Sequence, residues 1–132
     1  MEGNVKKTVR VGIVSSINPE EGTAKVVWPD EDDKVSADLI VSQAFNSTGH
    51  KSYRMPDVNE QILCVFPPNS PNAGFIIGAL PSEDTPPLYN TADKCGIKFG
   101  PIEITLNRAD GSINIKTSGT ININGSSIHL ND

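Results

Sequence analysis

The first part of the chain alternates apolar stretches with turn chemistry. Val9 to Asn18 and Thr23 to Trp28 read as strands joined by the turn Pro19-Glu20-Glu21-Gly22. The acidic Pro29-Asp30-Glu31-Asp32-Asp33 makes the next turn, and Val35 to Ser42 continues the meander. A polar loop, Gln43 to Pro56, precedes two further strands, Gln61 to Phe66 and Gly74 to Leu80, which Pro67-Pro68-Asn69-Ser70-Pro71-Asn72 separates. No stretch carries the 3.6-residue period of a long amphipathic helix. Short antiparallel strands of this number in residues 1–80 predict an all-β fold beginning with an OB-fold barrel, which avoids exposed edges by closing on itself. Trp28, ending a strand before Pro29, is expected to pack at the barrel rim. Residues 81–94 (PSEDTPPLYNTADK) read as a Pro-rich linker.

From residue 95 to 132 the pattern changes. Apolar residues take every second place in short bursts: Ile97 and Phe99; Ile102, Ile104 and Leu106; Ile113 and Ile115; Ile121 and Ile123; Ile128 and Leu130. Polar residues fill the places between, and Asp110-Gly111-Ser112, Ser118-Gly119-Thr120 and Gly125-Ser126-Ser127 supply turns. This is an internal repeat of short, half-buried strands. Two or three apolar side chains per strand do not offset the ordering entropy of an isolated meander, so another layer must cover them. One reading packs the repeat on the barrel as one more antiparallel sheet. The other winds copies of the chain about a common axis with the Ile rows inside, and three copies make the smallest closed prism. The linker disfavours folding back, which points to a homotrimer with these bursts as its core.

Composition narrows the function classes. Hydrophobic residues make up 36% of the 132 and aromatics 5%, a thin supply for one large core. The formal charge is −5, from 11 Lys and Arg against 16 Asp and Glu, which disfavours nucleic acid as a partner. No run reaches the apolar length of a membrane span, and the N-terminus lacks the layout of a signal peptide, so synthesis in a bacterial cytoplasm is expected. Cys64 and Cys95 lack CxxC or His neighbours and read as free thiols. Paired carboxylates, a nucleophile–base set and a metal cluster are all missing, so neither an enzyme nor a cofactor is expected.

Several segments together resemble a known family. VRVGIVSSINPEEGTAKVVWPD, then MPDVNEQILCVFPPNSPNAGFIIGALPSEDTPP, then the terminal Ile-Asn repeat are similar in order and kind to the phage baseplate assembly protein V family. These are central spike proteins of contractile phage tails and phage-tail-like bacteriocins. Met55 to Phe66 looks like the family's P-x-x-G-E-x-V-x-V strand, with Asn59 where Gly is usual. Gly74 to Leu80 looks like its G-x-V-L-G-x-x-Y strand, with Leu80 and Pro81 in place of the aromatic. The resemblance implies an OB-fold barrel followed by an intertwined triple-stranded β-helix. It also implies a structural role: a spike at the centre of the baseplate of a virion or tail-like particle, driven through the target cell envelope on sheath contraction. Implied partners are the chain itself, a baseplate hub protein above the barrel and a separate tip protein. Some members end in a His-x-His pair that holds iron; here His129 is followed by Leu130 and Asn131, and its parity is outward, so no metal is expected. Asp132 shares the parity of Leu130, which would point carboxylates toward the axis, but fraying of the terminus is expected there. His50, in a polar loop, and Asp30 to Asp33, which lack the alternation of a calcium loop, are expected to carry no chemistry. The alternative reading is an OB-fold module for oligonucleotide or oligosaccharide with a β-rich oligomerisation tail.

Overall fold

The structure, a computed structural model, describes residues 8–70 and 72–131. It is all-β and divides between Thr85 and Pro86 into two compact units. The first contains β1 (Val9–Asn18), β2 (Thr23–Trp28), β3 (Lys34–Val35), β4 (Leu39–Val41), β5 (Gln61–Val65) and β6 (Phe75–Ala79). Five of these strands close into an OB-like barrel in the order β1–β2–β4–β6–β5 and back to β1, with β3 appended to β2. The β4–β6 pair is parallel and the others are antiparallel. The long β1 makes closure feasible. Val9 to Ile13 pair with β5 and Ile13 to Asn18 pair with β2. A register shift between Val14 and Ser16 bends the strand from one wall into the next.

The stretch expected as one strand from Val35 to Ser42 is broken. At Ser36 the main-chain N still donates to Val26 O at 2.8 Å, but the Oγ accepts from Val26 N at 2.9 Å and donates to Ala37 O at 2.7 Å, so a side chain takes over one ladder bond. Val14, Ala24, Val26, Leu39, Ile62, Cys64, Phe66 and Ile76 form the core, and Trp28 belongs to it. Trp28 is the last residue of β2 and is buried where that strand ends. Its ring meets Phe66 edge-on, with centroids 5.8 Å apart, and the Arg10 guanidinium lies 3.8 Å from its centroid as a lid. Arg10 is held there by Asp30 and Glu31, each at 3.2 Å. Room for the indole comes from Gly12, where a Cβ would collide with Val26 Cγ1 and approach the indole to 2.9 Å. Asn59 takes φ 76°, the left-handed region that Gly enters freely and Asn tolerates best among other residues.

The second unit holds β7 (Lys94–Phe99), β8 (Ile102–Asn107) and β9 (Ser112–Lys116), an antiparallel meander in that order. Gly100, at φ 59°, sits in the two-residue β7–β8 turn. The β8–β9 turn closes through Gly111 N to Asn107 O at 2.8 Å and Ser112 Oγ to Asp110 Oδ1 at 2.7 Å. That bond holds the Asp110 carboxyl below the usual carboxylate range. The stretch 81–94, read as linker, is shorter in fact. Lys94 already opens β7, and Tyr89 and Asp93 bond to the meander. Ile121, Ile123, Ile128 and Leu130, expected in two further strands, lie outside any strand of the single chain.

Candidate functional site

Cross-strand register decides which side chains share a face. Cys95 pairs with Leu106, which pairs with Ile113; Ile97 pairs with Ile104, which pairs with Ile115; Phe99 pairs with Ile102. Partners in a ladder point the same way, so these rungs make one uninterrupted apolar face. The opposite face carries Lys98 opposite Glu103, itself opposite Lys116, a charge rung that suits solvent.

Burial along this sheet is inverted from the ordinary. In β8 the polar Glu103, Thr105 and Asn107 are half-buried, whereas Ile102, Ile104 and Leu106 are 43%, 40% and 45% exposed. The cause is the segment 86–93, which straps the polar face. Tyr89 Oη lies 2.7 Å from Thr105 Oγ1 and donates to Glu103 Oε2 at 3.4 Å, and Lys94 Nζ lies 5.7 Å from the Tyr89 ring. Gly96 leaves room for that hydroxyl, since a Cβ there would stand 2.5 Å from it. Asp93 is fastened by Arg108 twice, main chain to main chain and Nε to Oδ1, both at 2.9 Å. With one face strapped, the apolar one is left open within the unit. Ile97, Phe99, Ile113 and Ile115 are still more exposed than the β8 row, as are Ile121, Ile123, Ile128 and Leu130.

The tail beyond the meander adds a second deficit. Among the described residues from 118 to 131, the hydrogen bond present is Gly119 N to Thr117 Oγ1 at 3.1 Å. A run of backbone donors and acceptors without chain partners is uncommon in a folded protein unless water or another strand takes them.

Other candidates are less organised. A cavity of about 280 Å³ in the barrel is lined by Val41, Gln43, Tyr53, Arg54, Glu60 and Ile77, among others. Its polar groups are engaged with one another. Arg54 grips Glu60 in a fork at 2.7 and 2.5 Å, and the Gln43 amide bonds the Arg54 main chain in both directions. The fork lowers the Glu60 carboxyl and raises the Arg54 guanidinium from their ordinary values. Trp28 and Phe66 are buried against each other, so neither offers a stacking platform. Among the described residues no three His, Cys, Asp or Glu side chains gather as a metal group. His50 and His129 are exposed, and Asp132 lies outside the described residues. Cys64 is buried, and burial pushes its thiol up to about 12, with Arg10 opposing the shift; Cys95 is exposed on the apolar face.

No family model matches the chain, and no curated protein matches it.

Proposed function

We propose that the chain is the central spike of a contractile tail or tail-like injection particle, a homotrimer whose second unit forms an intertwined β-helical needle. The carrying observation is the open apolar face together with the unpartnered tail. The exposed parts of the Ile, Leu and Phe side chains on the sheet face amount to on the order of 700 Å², above the ~300–600 Å² of a typical monomer's largest patch. That is also more than the apolar share of the ~800 Å² per partner in a standard interface. Three copies turning their Ile rows inward hide that surface, and their tails, paired in a common ladder, satisfy one another's backbone groups. The charge rungs and the Tyr89 strap then stand outside, where they keep the needle soluble. Intertwined chains with a dry interior do not fray one at a time, so the assembly resists a brief axial load without catalysis. The hub protein, tip protein and target envelope enter as the partners such a spike meets. Absolute molar mass by light scattering tests the reading: the expected mass is that of three chains, persisting on dilution. A stable single chain would overturn it.

A further inference from the structure

The barrel carries an apolar wall of its own. Val9 pairs with Val65, Val65 with Phe75, and Phe75 with Ile40, a single rung crossing four of the five barrel strands. Val11 opposite Leu63 begins the next rung. Val9, Val11, Phe75 and Ile40 are 58%, 48%, 38% and 54% exposed, while the alternate residues Val14, Ile62, Cys64 and Ile76 fill the core. One charged residue, Arg10, occurs in β1, β5 and β6 together, and it turns inward over Trp28. In a chain that is 20% charged, a wall of three adjacent strands without an outward charge is a marked departure.

We infer that this wall is the contact between the barrels of neighbouring copies in the trimer, an inference that rests on the trimeric reading above. Tethering argues for a second copy as the occupant. Half-exposed side chains of this number present on the order of 400 Å² of apolar surface, about the apolar share of the ~800 Å² per partner in a standard interface. A tethered copy needs far less. The chain from Ala79, at the end of β6, to Tyr89, fastened by its hydroxyl to the second unit, reaches at most about 35 Å. Three barrels so confined meet at about millimolar effective concentration, where a small apolar contact is populated. Uncharged strands on that wall fit the same occupant, because copies of one acidic barrel repel wherever their carboxylates face each other.

Thiol accessibility in the full chain tests this. In a Cys95→Ala background, where Cys64 is buried in the core, Val11→Cys reports the wall and Glu20→Cys, in the exposed β1–β2 turn, reports open surface. Ile40→Cys, at the far end of the rung, is a second wall probe should Val11→Cys fold poorly. With light scattering giving three chains, maleimide should label the wall thiols at least about tenfold more slowly than Glu20→Cys, beyond the roughly twofold difference that partial exposure alone gives. Three chains with wall and turn thiols labelled at matching rates would overturn the inference and leave the wall open to a different protein, while the trimer stands. A single-chain mass would instead remove the spike reading, and this contact with it.

Discussion

Ile104 sits at the centre of the middle rung, between Ile97 and Ile115, and is 40% exposed in the single chain. If the face met only solvent, Ile104→Ala would cost about 1 kcal/mol, through lost strand propensity and cross-strand contact with Ile97 and Ile115. If three copies close over it, each loses a buried side chain, at about 2 kcal/mol per copy at the low end of the range for such truncations. Three simultaneous losses give about 6 kcal/mol per trimer, a factor of about 10⁴ in the association constant at 1.4 kcal/mol per decade. Cavities that share an axis couple, so the sum is a scale and not a partition. The assay is a light-scattering dilution series on both proteins, with guanidinium unfolding at two protein concentrations. A trimer unfolds later at higher concentration, and the variant should dissociate at concentrations where the parent remains whole. Concentration-independent unfolding in the parent, with Ile104→Ala costing no more than about 1 kcal/mol, would refute the reasoning.

Three further outcomes are expected. Gly96→Ala drives a Cβ into the Ile104 carbonyl and the Tyr89 hydroxyl, and such overpacking typically costs about 1–3 kcal/mol, so calorimetry should show earlier melting of the second unit. Glu60 is held low by the Arg54 fork, so the stability it adds is present above the unfolded glutamate value of about 4.3 and is lost as the pH falls through its lower folded value. Glu60→Gln should therefore be less stable than the parent at neutral pH, with the gap narrowing in acid; a pH-independent gap in guanidinium midpoints would contradict the assignment. At pH 8 the Cys64 thiol, pushed up to about 12 by burial, should resist alkylation until unfolding, whereas Cys95 should be protected by assembly alone and react in Ile104→Ala at concentrations where that variant dissociates.

The two strands that open the barrel were legible to the residue, because Val9 to Asn18 and Thr23 to Trp28 are bounded by turn chemistry that nothing distant overrides. Ser36 was not legible, since a hydroxyl that replaces a ladder bond leaves no trace in hydrophobic periodicity. For Trp28 the sequence shows a strand-end packing residue but not its cover: the Arg10 lid comes from a neighbouring strand, and only pairing reveals it. Asn59 carries a backbone requirement, positive φ, that the identity of one side chain hints at without locating. In the second unit the alternation disclosed one apolar row but not which face would be covered. The answer lay in Tyr89, inside a stretch whose prolines and acids read as linker, and whose hydroxyl chose the polar face.

Apolar exposure alone does not say that other copies supply the cover, because any greasy surface hides isoleucines equally well. Backbone groups are more selective. The barrel closes on itself, so apart from the edge of the two-residue β3 its strands have no ladder to lend. The outer edges of β7 and β9, and the tail from 118 to 131, present unpaired donors and acceptors that a packed barrel wall would bury without satisfying. A partner with edges of its own satisfies them, and a second and third copy of this chain carry the same unmet edges. The distinction is measurable by amide hydrogen exchange in the full chain. Assembly through strands should protect amides in 118–131 to the same degree as those of β8, whereas a sheet covered only through its side chains would leave the tail exchanging as open chain while β8 stayed protected.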